Sequence, residues 1–173
     1  MIGDLMITFG VDAENCKARS MQPWSLVGTF GALRLYQTQT DERWHGFPLM
    51  EAEDEQWHVW LLGEPYEETP VLTQAVMNPE KLNGHFLLFG FEKSLKRMHV
   101  VTNRLGTVHG YYAMNGGKAA IGTFSPAVAQ ASGKSNLNLQ AISEFFSFGF
   151  FIGNSTHWQD VTILPAATHM ILD

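Results

Sequence analysis

The sequence is short of cysteine, of charge and of long apolar runs. Its single cysteine, Cys16, excludes an internal disulfide and any zinc site built on several cysteines, which fits a reducing compartment. No apolar run approaches membrane-spanning length and no hydrophobic signal region opens the chain, so a soluble, cytoplasmic protein is expected. Charged residues make up only 16%, and the 11 Lys and Arg are scattered against a net charge of −6. That distribution is no nucleic-acid footprint, and neither nucleic acid nor membrane is an expected partner. The seven histidines show no metal-ligand spacing, so no metal is expected. Ala131-Ser132-Gly133-Lys134-Ser135 ends like a phosphate-binding loop, but Val128 stands where its first glycine belongs and no strand precedes it. Linkers, repeats and low-complexity tracts are missing too, and so is regular strand–helix alternation, which argues against a doubly wound parallel sheet.

What is present is a 173-residue chain with 45% hydrophobic residues, read as a single globular domain over 1–173. The stretch Leu82 to Phe124 organises it. Four short apolar or aromatic runs follow one another there, each ended by Gly, Asn or a charged cluster, as in consecutive antiparallel strands. Asn115-Gly116 marks a hairpin reversal. At least three of these strands are expected to be neighbours. Before them, strands are expected at Leu5–Val11, across Leu26–Tyr36 as one interrupted run, and at Trp57–Leu62. Glu51–Glu55 reads as a solvated turn and Thr69–Glu80 as connective. After them, Ser125 caps a helix to Gln130 with Pro126 in its first turn. Asn138 caps a second helix, Leu139–Phe148, stopped by Gly149. Short strands at Val161–Leu164 and Thr168–Leu172 follow. The pattern predicts an α+β domain whose sheets pack face to face or under helices.

One resemblance sharpens this. Leu82, Gly84, Phe86 and Phe89, then Arg104, Gly106, Tyr111 and Tyr112, resemble a signature of the asparagine synthetase family. The matching part of that family is its N-terminal class II glutamine amidotransferase domain, with its Leu-x-Gly-x-Phe-Ala-Phe and Arg-Asp-x-x-Gly-x-x-Pro-Leu-Tyr-Tyr elements. Glu144-Phe145 with Phe148-Gly149-Phe150 resembles the family's helix and Phe-Gly-Phe turn. Leu164-Pro165-Ala166-Ala167-Thr168-His169-Met170 resembles its Leu-Pro-Pro-Gly-His-Tyr ending. Residues 82–173 match well and 1–81 loosely. The resemblance implies an N-terminal nucleophile hydrolase fold, an αββα sandwich of two antiparallel sheets.

It also implies a site, and this chain departs from it. In the family a cysteine at the mature N-terminus attacks glutamine, with its own α-amine as base. Met6 falls where that cysteine belongs, and a thioether forms no nucleophile. The family's Arg-Gly-Pro-Asp loop has no counterpart between Asn15 and Phe30, and its Gly-Ser-Asp is absent. Its Asn-Gly-Glu-Ile-Tyr-Asn segment aligns with Leu62 to Glu67, so Gly63, Glu64 and Tyr66 persist while Leu62 replaces the oxyanion asparagine. Arg34 matches the arginine that pairs with the glutamine carboxylate. The expected site therefore has no catalytic residue, and only Arg34, Gly63 and Glu64 remain as substrate-binding candidates. The implied function is a degenerate glutaminase-like scaffold for an ATP-dependent, amide-forming synthetase domain or partner. Relatives of this kind include β-lactam synthetases and lasso-peptide cyclases, some with a dead amidotransferase domain. ATP and Mg²⁺ would belong to that partner, because the Ser-Gly-Gly-x-Asp-Ser loop does not occur here and no cofactor is expected in this chain. The alternatives are an enzyme with a non-standard nucleophile, Thr8 or Cys16 with its nearby Lys17 and Arg19, or an amino-acid-binding module using Arg34. His58, His85 and His99 read as packing or surface residues. The aromatics at 145, 146, 148, 150 and 151 are expected to wedge a helix into a core or to form a partner surface, exposed or closed in a homodimer.

Overall fold

The computed structural model describes residues 2–13, 16, 23–39, 48–67, 71–133 and 135–173. In chain order the first strands are β1 (Ile2–Phe9), β2 (Ser25–Phe30), β3 (Leu33–Gln39), β4 (Leu49–Glu53) and β5 (Trp57–Pro65). A single helical turn, α1 (Leu72–Ala75), precedes β6 (Gly84–Glu92), β7 (Arg97–Thr102), β8 (Tyr111–Asn115) and β9 (Lys118–Gly122). Then come α2 (Ser125–Ser132), α3 (Leu139–Phe148), β10 (Thr162–Ile163) and β11 (His169–Leu172). The fold is α+β, with two antiparallel sheets and few helices. The chain divides into two compact units, one holding Phe47–His109 and Pro165–Asp173, the other Ile2–Gly46 and Gly110–Leu164.

The first unit carries a five-stranded sheet in the order β11-β7-β6-β5-β4. Its central strand β6 is buried on both alternating sets, Phe86 and Leu88 on one side, Leu87 and Phe89 on the other. Phe86 and Leu88 pack with Val59 and Leu61 against Leu72, Val76 and Leu82, so the short α1 region serves as a lid over that face. Fully burying an aliphatic or aromatic side chain contributes about 1.5–3 kcal/mol each. The second unit carries a six-stranded sheet in the order β10-β8-β9-β1-β3-β2. Here Met6, Tyr36, Ala113 and Ala120 meet Ala127, Val128 and Ala131 of α2. Small residues on both sides let the helix lie close to the strands.

Several expectations need correction. The Leu26–Tyr36 run is a hairpin of β2 and β3, because Gly31 adopts the left-handed φ of 65° that reverses the chain. The acidic cluster is mostly strand: Glu51 and Glu53 lie in β4 opposite Trp60 and His58, and Lys93 Nζ donates to Glu53 at 2.7 Å. Asp54 and Glu55 make the turn, Asp54 Oδ1 accepting the amides of Gln56 and Trp57 at 2.8 and 2.7 Å. Thr69–Glu80 includes α1 and the start of a 3-10 turn, Pro79–Lys81. Ser125 is the first helical residue of α2, with Phe124 at the cap position and Pro126 in the first turn, and the helix runs on to Ser132. The four central strands are not three neighbours in a row. They form two hairpins, β6–β7 in one sheet and β8–β9 in the other, because the eight-residue link after Thr102 leads from one unit into the other. The expected loop at Asp12–Trp24 falls mostly outside the described residues, as do residues 45–47. The phosphate-loop-like Lys134 lies outside them too.

Candidate functional site

Met6 sits in the middle of β1, with Tyr36 and Gly122 as its cross-strand partners, and no part of it is accessible. Its thioether fills core space against α2. Thr8, two residues on, is equally buried, and its hydroxyl donates to the Val11 carbonyl at 2.7 Å. Cys16 is half-buried, and burial, followed by the charge of Asp12, pushes its thiol pKa up. A raised pKa is the opposite of what a thiolate nucleophile requires, and Lys17 and Arg19, whose charges would lower it, lie outside the described residues. Arg34 lies on β3 across from Thr8, with its side chain in solvent. Nη1 stands 3.7 Å from Asp12 Oδ2, and the Tyr36 hydroxyl donates to Asp12 Oδ1 at 3.3 Å. The guanidinium thus already faces a carboxylate of its own chain.

Gly63 and Glu64 belong to the other unit, near the end of β5. Gly63 has φ +121° and Gly84 across from that strand end has φ +135°. A Cβ on Gly63 would lie 2.0 Å from the His85 carbonyl oxygen, and one on Gly84 would lie 2.4 Å from that of Glu64. Both positions need glycine because the two strands pinch together there. The Gly63 amide donates to the Pro48 carbonyl at 2.9 Å. Leu62 is fully buried and the Glu64 side chain is exposed.

Sequence reading missed what the pinch presents. Beyond it, Tyr66 and His85 sit at the two strand ends, with Tyr66 Oη and His85 Nε2 hydrogen-bonded 3.0 Å apart. His85 Nδ1 is 2.9 Å from Thr107 Oγ1. Buried Asn103 donates through Nδ2 to Thr107 Oγ1 at 2.9 Å and to the Gly84 carbonyl at 2.7 Å, and its Oδ1 accepts the Thr107 amide at 3.0 Å. Tyr66, His85, Asn103 and Arg104 border a cleft of about 240 Å³. The Asn103–Gly106 turn was legible; the side-chain relay from it to Tyr66 joins residues up to 41 positions apart and has no local signal.

Two further polar groups are buried without a mark in the sequence. Asp4 accepts from the Thr123 hydroxyl at 3.0 Å while its amide donates to Thr38 Oγ1 at 2.9 Å. His99, only 3% exposed, meets His169 with Nδ1 and Nε2 2.9 Å apart. Trp57 presents its ring edge-on at 5.0 Å, and Glu92 Oε2 lies 3.4 Å from His99 Nε2, an ion-pair contact outside hydrogen-bond geometry. His58 stacks on Trp60 at 3.9 Å and pairs with Glu51. Among the described residues there is no group of three or more side chains suited to hold a metal ion, and no helix is long and apolar enough to cross a membrane.

The helix α3 begins and ends as its sequence dictates: Asn138 Oδ1 accepts the Ala141 amide at 3.1 Å, and the Gly149 amide returns to Phe145 O at 2.8 Å. Of its own residues only Ala141 is buried. Phe146 is 84% exposed and Phe150, just past the cap, 62%, while Phe151 is half-buried against Phe145 at 5.1 Å.

No protein-family model matches this chain, and no curated protein does.

Proposed function

We propose that this chain is a catalytically silent counterpart of the class II glutamine amidotransferase domain of the asparagine synthetase family. Its two antiparallel sheets are the ββ core of the αββα sandwich of N-terminal nucleophile hydrolases. Its role is to scaffold an ATP-dependent, amide-forming synthetase domain or partner protein, which supplies ATP, Mg²⁺ and the chemistry. The carrying observation is the setting of Met6: the nucleophile position is an inaccessible thioether inside a strand, with peptide on both sides. The buried Leu62, where the resemblance puts the oxyanion asparagine, supports the same reading, and the amide of the binding candidate Gly63 is engaged by Pro48. An amino-acid-binding role for Arg34 has to displace Asp12 first. The aromatic face of α3 supplies a surface for the partner.

The test is ammonia release from glutamine, measured by a coupled assay, together with mass-spectrometric labelling by an electrophilic glutamine analogue. Both are expected at background for the natural chain. Met6→Cys is expected to stay silent as well, because an internal cysteine lacks the free α-amine that serves as base. Stoichiometric labelling at Thr8 or Cys16, or glutamine turnover, overturns the silent reading.

A further inference from the structure

We infer that the cleft bordered by Tyr66, His85 and Arg104 is a binding site for a small organic carboxylate, aligned by a one-way chain of hydrogen bonds that starts at Asn103. The direction of the chain follows from its buried end. Asn103 Oδ1 accepts the Thr107 backbone amide at 3.0 Å, which fixes the side-chain amide and makes Nδ2 the donor to Thr107 Oγ1 at 2.9 Å. One lone pair of Thr107 Oγ1 is filled by Asn103, and the proposed chain assigns the hydroxyl proton to His85 Nδ1, 2.9 Å away, in place of solvent. His85 then carries its proton on Nε2 and gives it to Tyr66 Oη at 3.0 Å. Every member donates once along the line, and the last proton, on the Tyr66 phenol, is left for an acceptor outside the chain. Tyr66, His85 and Thr107 are exposed, and they hold this register on buried Asn103 at the expense of rotamer freedom. What they present is a single aimed donor.

The rest of the cleft asks for the same ligand. Among the described residues Arg104 is the one charged residue that lines it, and the nearby Glu67 carboxylate is engaged by the Asn83 amide at 3.1 Å. The guanidinium is held by one hydrogen bond, Nη2 to the Glu80 carbonyl at 3.0 Å, and its other donors have no partner among the described residues. A planar fork beside an aimed phenol suits a carboxylate, which accepts two guanidinium bonds on one edge and a third from tyrosine. The setting favours selectivity, since the chain as a whole carries −6 and an anion is drawn only where local charge reverses that field. Exposed Tyr66 and Leu105 flank the opening, 68% and 76% accessible, and give an apolar body something to lie against. This site is independent of the scaffold reading and does not involve Arg34, Gly63 or Glu64.

The experiment is an NMR titration of the full chain, labelled with ¹⁵N at histidine, with benzoate, acetate and inorganic phosphate as probes. Expected are a His85 ring in the Nε2–H form before ligand and a saturable shift with benzoate in the millimolar range, with acetate weaker. Arg104→Gln is expected to weaken benzoate about tenfold, the scale of a charge-assisted pair. Thr107→Val touches no ligand; it interrupts the chain, should release the His85 tautomer preference and should weaken benzoate severalfold. Thermal melts of both variants separate binding loss from unfolding, and a folded Arg104→Gln with unchanged affinity overturns the site. So do a His85 ring in the Nδ1–H form, phosphate binding without benzoate binding, or no saturable shift at all.

Discussion

Asn103 illustrates how much one polar side chain decides in this fold. It is 4% exposed, and its amide group is used completely by Gly84 and Thr107. Its backbone carbonyl accepts the amides of Gly106 at 3.1 Å and Ala167 at 3.0 Å, so the turn, the start of β6 and the segment before β11 meet at one residue. Asn103→Ala leaves the part-buried Gly84 carbonyl and Thr107 amide without their side-chain partner, each costing about 1–2 kcal/mol, the lower part of the range for buried groups. The expected loss is about 2–4 kcal/mol in urea unfolding, with little change in slope. A loss under about 0.5 kcal/mol would mean that water replaces the side chain without penalty. Asn103 was readable as a turn residue. Its role as an anchor was not, because its partners lie 19 residues back and 64 ahead.

Among the elements, those with local chemistry at their ends were legible. α3 runs from its asparagine cap to its glycine stop as read, and the Asn115-Gly116 hairpin holds. β2 and β3 were fused in the reading because apolar residues continue across the Gly31 reversal. β4 was missed because its acidic residues are strand-forming only through partners elsewhere, Lys93 for Glu53 and His58 for Glu51. The join between β7 and β11 carries a pH dependence for the same non-local reason. Burial holds the pKa of His99 down, with Glu92 pulling the other way; burial and then the charge of His99 hold His169 down. A histidine whose folded pKa lies below its unfolded value binds protons preferentially when unfolded. Its contribution is therefore complete above an unfolded pKa of about 6.5 and is lost as pH falls below that toward the folded values. The midpoint of urea unfolding is expected to drop between pH 7.5 and pH 5, and the protection factors of β11 amides, taken against the intrinsic exchange rate at each pH, to fall. His99→Gln should flatten that dependence; a midpoint that rises on acidification contradicts the assignment.

For the molecule as a whole, the exposed aromatic face of α3 is the proposed association surface. Phe146 and Phe150 stand in solvent, and Phe151 leans on Phe145, so the pair to change is Phe146 and Phe150. Phe146→Ser/Phe150→Ser is expected to keep the melting temperature within about 3 °C, as surface substitutions do. Sedimentation velocity is expected to show reversible self-association of the natural chain, and none for the double variant. A variant that unfolds would make these side chains core. The order of strands in the six-stranded sheet has a different consequence. β1 lies between β3 and β9, and its pairing with β9 joins Phe9 to Ala119 and Met6 to Gly122. During synthesis β1 and β3 leave the ribosome early, and one edge of β1 then waits for more than a hundred residues to be added, roughly ten seconds at ordinary elongation rates. For that interval the nascent chain displays an unpaired, apolar strand edge, the kind of surface that trigger-type chaperones hold. Ribosome-stalled chains that end before Lys118 should stay open to protease in the β1 region, and protection should arrive only after Gly122 has emerged.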